Sequence, residues 1–267
     1  MPRFAANITM LYPDLPFLDR FACAARDGFA AVEFFFPYAH APADIAARLN
    51  DNGLELVLFD ATPRRDERER GIACLPDRVQ EFRQDFQQGL HYAEALNCAR
   101  LHVMAGLVPA GAERRELHEV YVANLAWAAE QAQRCGRGIQ IEPINPLDVP
   151  GFFLTRQADA HAIVEEVGAP NLKVQMDLYH CQRVEGNPAE LLRRYLPTGR
   201  VGHIQVSNVP GRHEPEGGEM DYPELFSLID ALGFDGWTAA EYHPRDRGPG
   251  GTSAGLAWLR RARACAS

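Results

Sequence analysis

The sequence predicts an α/β protein with the fold of a (β/α)8 TIM barrel, and three observations support that fold class. Apolar runs of strand length alternate eight times with longer helical patterns along the 267 residues. No linker or low-complexity segment interrupts the alternation, so we expect residues 1–267 to form a single barrel domain. Repeated βα units imply parallel strands with right-handed crossovers, and eight units in a chain of this length fit a closed barrel.

A doubly wound open sheet is the alternative architecture for repeated βα units. Such a sheet usually carries a GxGxxG motif directly after a strand, where it binds a nucleotide. No predicted strand of this sequence is followed by that motif. The closed barrel is therefore the better prediction.

The predicted strands are short apolar runs, and the predicted helices show helical periodicity. In chain order the strands cover residues 4–9, 31–35, 54–59, 99–105, 138–142, 172–177, 201–206 and 237–241. The helices that follow them are expected at residues 15–28, 42–53, 79–95, 113–134, 156–167, 188–195, 222–232 and 254–264.

Local signals support the first elements in this order. Apolar residues of the first helix recur on one face, and Gly28 closes it, while the second helix stops at Asn52-Gly53. A charged loop, residues 60–78, follows the third strand and contains the run RRDERERG. This loop could form a lid over the barrel mouth, and a solvated connection is the plainer interpretation.

Composition limits the classes of partner. The net charge is -9, from 27 basic and 36 acidic residues, which disfavours nonspecific binding to nucleic acid and anionic membranes. The sequence has no apolar run of about 18 residues, no secretory leader pattern and no CxxC pair among its six cysteines. We therefore expect a cytoplasmic protein with reduced thiols that acts on a small molecule. A homo-oligomer remains open.

Oxygen-bearing side chains stand at the ends of four consecutive strands in the second half of the chain. These residues are Glu142, Asp177, Gln205 and Glu241, each about one βα unit after the previous one. Side chains two residues apart share a face of a strand, and this alternation directs the four toward the barrel interior. Function in this fold collects where the strands end.

Three converging carboxylates would repel one another and resist desolvation, so a cation is expected among them. Carboxylate and amide oxygens suit Mg²⁺ or Mn²⁺, and Zn²⁺ is a third candidate although the set lacks thiolates. Any single Asp or Glu at a strand end is more often a helix cap or an ion-pair partner. All four residues together, in phase on adjacent strands, favour the metal site.

Several motifs resemble the hydroxypyruvate isomerase family, which belongs to the xylose-isomerase-like barrels. The segment ALNCARLHVMAGLVPAG is similar to the 2-oxo-tetronate isomerase branch, whereas EPINPLDVPGFFLT is similar to the hydroxypyruvate branch. The motifs that carry the resemblance are EPIN at 142–145, MDLYHCQRVEGN at 176–187, GHIQVSN at 202–208, RHEPEGGEMDY at 212–222 and AAEYHPR at 239–245.

The resemblance implies metal ligation by Glu142, Asp177, Gln205 and Glu241. It also implies that Glu142 and Glu241 form an acid/base pair.

The residues that contact the substrate are predicted partly from the resemblance and partly from their charge. His180 and Arg212 match substrate-contacting residues of related enzymes. A guanidinium such as that of Arg212 also pairs well with a substrate carboxylate. Asp148, in the proline-rich loop after the fifth strand, is a further candidate for substrate contact.

Polar residues elsewhere on the strands complete the predicted site. Asn7, Glu33 and His102 could line the pocket, and His203, two residues deeper than Gln205, is expected to be structural.

The predicted activity is that of a hydroxypyruvate isomerase. Such an enzyme interconverts hydroxypyruvate and 2-hydroxy-3-oxopropanoate by metal-assisted proton transfer through an enediolate. The alternative substrate is a four-carbon 2-oxo-tetronate. Two hypotheses of other classes are a metal-dependent endonuclease and a non-catalytic sugar-acid binding protein. The acidic net charge argues against the endonuclease.

Overall fold

The computed structural model describes residues 1–63, 65–66 and 68–264. Eight parallel strands pair in chain order, and the eighth pairs back with the first to close the barrel, which confirms the predicted fold class. The strands are Arg3–Asn7 (β1), Ala31–Glu33 (β2), Glu55–Asp60 (β3), Arg100–His102 (β4), Gly138–Ile141 (β5), Leu172–Asp177 (β6), Val201–Val206 (β7) and Trp237–Ala240 (β8).

Helices follow the strands and surround the barrel. The α-helices of the described residues are Arg20–Arg26 (α1), Pro42–Asp51 (α2), Val79–Ala95 (α3), Arg114–Arg134 (α4), Gln157–Val167 (α5), Leu178–Val184 (α6), Pro188–Tyr195 (α7), Tyr222–Ala231 (α8), Gly251–Gly255 (α9) and Ala257–Ala264 (α10). Short 3-10 turns lie at Phe17–Asp19, Pro37–Ala39, Pro76–Arg78 and Leu196–Thr198.

The two faces of each strand have different neighbours. Ile139 and Ile141 of β5 are fully buried in the apolar core that includes the surrounding helices. On the inner face, the small residues Ala5 and Ala31 lie two positions before polar residues that face the barrel mouth. On β1 and β2, small side chains thus lie below the polar residues at the carboxyl end of the barrel.

Strands end earlier than predicted where side chains cap the backbone. β1 stops at Asn7 instead of residue 9, because Asn7 Oδ1 accepts hydrogen bonds from the backbone nitrogens of Thr9 (3.1 Å) and Met10 (3.3 Å). The predicted last helix is split at Leu256 into α9 and α10. α6 begins directly after β6 and was not predicted from the sequence.

The helices and cysteines of the described residues bear on two expectations from composition. No helix in the described ranges is long and apolar enough to cross a membrane. Cys23, Cys74, Cys98, Cys135 and Cys181 are free thiols. The sixth cysteine, Cys265, and residues 64 and 67 of the charged loop lie outside the described residues.

Candidate active site

A cavity of about 280 Å³ opens at the carboxyl ends of the strands. Six of the seven residues predicted for the site line this cavity: Glu142, Asp148, His180, Gln205, Arg212 and Glu241. Asp177, the seventh, is fully buried and contacts both His180 and Arg212. Asn7, Glu33 and His102 also line the cavity. The predicted residues from distant parts of the chain therefore meet at one place.

Two glutamates line this cavity. Glu142 directly follows β5, Glu241 directly follows β8, and both are buried. Burial raises the pKa of Glu142 well above its usual range, and the charges of Glu241 and Asp177 raise it further. Burial also raises the pKa of Glu241 well above its usual range, despite the opposing effect of Arg212. Each group is thus poised to hold a proton at higher pH than an exposed glutamate.

Asp177 links the end of β6 to the start of α6. One of its oxygens, Oδ1, accepts a hydrogen bond from the backbone nitrogen of Tyr179 at 2.8 Å and caps the helix. The other oxygen, Oδ2, lies 3.0 Å from Nη2 of Arg212 and 3.5 Å from Nε2 of His180. Asp177 therefore serves as a helix cap and still presents one oxygen to the site.

His180 lies on the first turn of α6. Its Nε2 is 3.8 Å from Oε1 of Glu142, and one ligand atom from each of Glu142, Asp177 and His180 lies within 4.8 Å of the others. This group could hold a metal ion. Burial lowers the pKa of His180 well below its usual range, so the imidazole is neutral.

Asn145 decides which nitrogen of His180 carries the proton. The Asn145 side-chain oxygen accepts from the backbone nitrogens of Leu147 (3.1 Å) and Asp148 (2.9 Å), which turns its amide nitrogen toward Nδ1 of His180, at 2.6 Å. Nδ1 is therefore an acceptor, and the proton of the neutral ring lies on Nε2. In this tautomer the Nε2 hydrogen of His180 faces Glu142 and Asp177, an arrangement that suits substrate contact better than metal ligation.

Arg212 places one cation among the carboxylates. Its Nη2 donates to Asp177 and to Oε1 of Glu241, and its guanidinium lies 5.1 Å from the centre of the Tyr179 ring. The backbone of Arg212 is in the left-handed region (φ 51°), and its carbonyl accepts from the nitrogen of His243 at 2.8 Å. This strained loop conformation directs the side chain into the cavity.

A histidine and an aspartate face Glu142 from the first half of the barrel. Nδ1 of His102 lies 2.8 Å from Oδ1 of Asp60, and Nε2 of His102 lies 3.7 Å from Oε2 of Glu142. Within the described part of the chain, Nε2 of His102 has no hydrogen-bond partner. The pair thus leaves one imidazole nitrogen available beside Glu142.

Gln205 occupies the floor of the cavity beneath Glu241. Its amide nitrogen donates to Oε1 of Glu33 at 2.7 Å and to Oε2 of Glu241. Its amide oxygen accepts from Nε2 of Gln175 at 2.7 Å and retains a second lone pair. Gln205 stays a predicted metal ligand through that oxygen.

The donor set fits a hard divalent cation. Glu142, Asp177 and Glu241 are three buried carboxylates whose pKa values are all raised, above all by burial, and Arg212 is paired with only two of them. Oε1 of Glu142 is buried and accepts no hydrogen bond from any residue that the structure describes. Oxygen-rich sites of this kind are typical of Mg²⁺ and Mn²⁺.

The sequence matches one protein family over most of its length. The profile of the family described as "Xylose isomerase-like TIM barrel" matches residues 21–262. The chain belongs to this family. The expectation from the motifs is thus confirmed.

Two curated relatives span almost the whole chain. The "2-oxo-tetronate isomerase" of Cupriavidus necator is 54% identical over 97% of this chain and 98% of its own length. The "Hydroxypyruvate isomerase" of Escherichia coli K12 is 39% identical over 97% of this chain and 98% of its own length. These matches confirm the expectation of an isomerase enzyme.

Solved structures agree on the barrel. A crystal structure described as an "AP endonuclease, family 2" from Brucella melitensis superposes with a TM-score of 0.93 at 41% identity, covering 98% of this chain and 99% of that chain. D-psicose 3-epimerase from Clostridium cellulolyticum H10 reaches a TM-score of 0.80 at 16% identity, covering 98% of this chain and 99% of that chain, which shows the shared fold alone.

Several site residues were not singled out from the sequence. Asp60, Arg70 and Gln175 line the cavity, and two of them gave a signal in the sequence: Asp60 ends a strand, and Gln175 shares the inward face of its strand with Asp177. Arg70 belongs to the charged loop at 60–78, so this loop does reach the cavity mouth. Its closure over the cavity stays a prediction.

Proposed function

We propose that this protein is a metal-dependent aldose–ketose isomerase of short 2-oxo acids, and that 2-oxo-tetronate is its best-supported substrate. The observation that carries the proposal is the pair of buried glutamates, Glu142 and Glu241, facing one cavity with raised pKa values. Isomerisation needs a group that takes a proton from one carbon and returns it to the next. The 54% identical relative supports the four-carbon substrate.

The carboxylates of Glu142, Asp177 and Glu241, with the amide oxygen of Gln205, would hold the metal. When bound, the metal would act as a Lewis acid toward the substrate's neighbouring carbonyl and hydroxyl oxygens. Mg²⁺ or Mn²⁺ is our proposed metal because the ligands are all oxygen.

The glutamates carry the proton between the two carbons. A general base works best when its pKa lies near the working pH, and burial shifts both glutamates in that direction. Nε2 of His180 faces Glu142 and Asp177, and its hydrogen can donate to a substrate oxygen beside them.

The substrate carboxylate is assigned to Arg212. Nη2 of this guanidinium is already shared by Asp177 and Glu241, whereas its Nε is buried without a hydrogen-bond partner in the described ranges. A guanidinium with one edge held by the protein can offer its remaining donors to a carboxylate. Asp148, at the rim, is our candidate for the substrate's terminal hydroxyl.

Hydroxypyruvate is the second candidate substrate, and one observation favours it. The segment EPINPLDVPGFFLT supplies Glu142, Asn145 and Asp148 to the site, and its motif resembles the hydroxypyruvate branch. The 39% identical relative named hydroxypyruvate isomerase agrees with this candidate. Both substrates would use the same glutamates and the same arginine.

A direct comparison tests the two substrates. Purified protein restored with Mn²⁺ is incubated with 2-oxo-tetronate and, separately, with hydroxypyruvate, and the isomers are followed by NMR. We expect a kcat/KM at least tenfold higher for 2-oxo-tetronate. A reversed ratio assigns hydroxypyruvate, and turnover of neither acid contradicts the proposed function. A parallel assay with abasic DNA detects the endonuclease alternative.

A further inference from the structure

A buried glutamate–histidine pair adjoins the cavity. Glu33, at the end of β2, and His203, on β7, are 1% and 0% exposed, and Oε2 of Glu33 lies 2.5 Å from Nε2 of His203. Burial alone would raise the pKa of Glu33, but the charge and hydrogen bond of His203 outweigh it and lower the pKa below the usual range. The hydrogen bond to His203 thus occupies Oε2 of Glu33 and leaves Oε1 to other donors.

The second oxygen of Glu33 is bound by two amide groups. Oε1 of Glu33 accepts from Nδ2 of Asn7 at 2.9 Å and from Nε2 of Gln205 at 2.7 Å. Each of these amide nitrogens also donates to Oε2 of Glu241, Asn7 at 3.2 Å and Gln205 through a shorter bond. Two NH₂ groups thus bridge one oxygen of Glu33 and one oxygen of Glu241.

The orientation of both amides is fixed by other contacts. The oxygen of Asn7 accepts two backbone N–H groups, so its nitrogen must face the carboxylates. The oxygen of Gln205 accepts from Gln175. Reversing either amide would place an oxygen against two carboxylate oxygens, which is repulsive.

We propose that Glu33 and His203 are positioning residues for Glu241. His203 holds one oxygen of Glu33 in place through its Nε2 hydrogen bond, and the other oxygen of Glu33 orients the amides of Asn7 and Gln205 so that both donate to Oε2 of Glu241. Oε1 of Glu241 then faces Arg212 and the cavity. This inference rests on the proposed function, because it assigns Glu241 to metal binding and proton transfer.

Replacing Glu33 by glutamine keeps the side-chain size and removes the charge. The amides of Asn7 and Gln205 would then compete for a weaker acceptor, the single side-chain oxygen that the glutamine provides. Glu241 would lose its fixed orientation as a result. Groups that orient metal ligands typically contribute about 10–100-fold to metal affinity or activity. For Glu33→Gln we expect kcat and Mn²⁺ affinity each to fall about 10-fold or more, with KM changed less than about threefold.

A matched control separates positioning from general destabilisation. His161 on α5 is 4% exposed and lies outside the cavity lining, stacked on Tyr195 with ring centres 3.9 Å apart. His161→Gln disturbs a comparably buried position, so it should lower the melting temperature and leave kcat and Mn²⁺ affinity unchanged. In a Glu241→Gln background, Glu33→Gln should no longer affect Mn²⁺ affinity, since both changes act through the same side chain.

The experiment measures Mn²⁺ binding by calorimetry, kcat and KM, and the melting temperature of each variant. A folded Glu33→Gln protein with kcat and Mn²⁺ affinity within twofold of the parent overturns the proposal. If Glu33→Gln does not fold, Asn7→Ala is the test. We expect kcat and Mn²⁺ affinity each to fall at least about threefold in that variant, and values within about twofold of the parent overturn the proposal. A parent that isomerises neither acid, but loses Mn²⁺ affinity on Glu33→Gln, contradicts the proposed function and supports the positioning role.

Discussion

Nη2 of Arg212 donates a hydrogen bond to Oδ2 of Asp177 at 3.0 Å, at the point where three buried carboxylates converge. The same nitrogen also donates to Glu241. One guanidinium cannot compensate three carboxylates, and burial, above all, raises the pKa values of Glu142, Asp177 and Glu241 despite Arg212. The relationship explains why the site both fits a metal ion and contains an arginine.

Arg212→Gln should weaken substrate binding. The change removes the guanidinium that we assign to the substrate carboxylate, and hydrogen bonds to charged groups contribute about 1.5–3 kcal/mol, or roughly 10–150-fold. We expect kcat/KM for either 2-oxo acid to fall within that range, mainly through KM, in steady-state assays. The control is Arg200→Gln, which removes a cation paired with Glu165 far from the cavity and should change kcat/KM less than about twofold.

Glu142→Gln should lower the activity without lowering the stability of the metal-free protein. The variant loses one of the two proposed proton carriers, so kcat should fall about 10²–10⁴-fold. It also removes a buried carboxylate repelled by Glu241 and Asp177, so the metal-stripped variant should melt no lower than the parent. Calorimetry and turnover assays measure the two effects. Full activity in this variant would remove Glu142 from the mechanism.

Asp60→Asn should disturb the histidine beside Glu142. In the parent, Oδ1 of Asp60 accepts from Nδ1 of His102, which leaves Nε2 unprotonated in the neutral ring. An asparagine can present its amide nitrogen instead, which favours the other tautomer. We expect kcat to fall about tenfold, and ¹⁵N NMR of the imidazole to show the proton moving to Nε2. An unchanged tautomer with unchanged kcat would show that the pair has no such role.

The imidazole of His161 should make folding stability depend on pH. Burial, followed by the charges of Arg200 and Arg194, lowers the pKa of His161 from 6.5 to about 4. The unfolded chain therefore binds more protons between those values, so stability is complete above pH 6.5 and decreases as pH falls toward 4. The loss is on the order of 3 kcal/mol across that range.

Denaturant unfolding at several pH values measures this loss. His161→Gln should flatten the dependence between pH 4 and 6.5, while a control substitution at the exposed His91 should not. Equal slopes in the parent and the His161 variant would contradict the assignment.

The barrel was predictable from the sequence because its eight apolar runs and helical patterns are local signals. The ends of the elements were less predictable, because they depend on side-chain contacts with the backbone. Asn7 ends β1 by accepting two backbone N–H groups, and Asp177 begins α6 by capping Tyr179. Neither residue type specifies such a role without its three-dimensional context.

The strand-end residues were predictable because the alternation of strands directs them to one side. The contacts between particular side chains were not predictable. Glu33 and His203 are 170 residues apart and pair only because the barrel closes, and Arg212 reaches Asp177 through a loop with a positive φ. The single domain of residues 1–267, cytoplasmic localisation and a homo-oligomer stay predictions.

The most direct test of the account is turnover by metal-stripped and metal-restored protein. The protein is dialysed against a chelator and assayed by NMR with 2-oxo-tetronate and hydroxypyruvate, before and after addition of Mn²⁺ or Mg²⁺. We predict negligible isomerisation without metal and restored isomerisation with either ion. Added metal should not restore parent-level turnover to Glu142→Gln. Equal turnover with and without metal, or no turnover of either acid after metal is restored, would contradict the account.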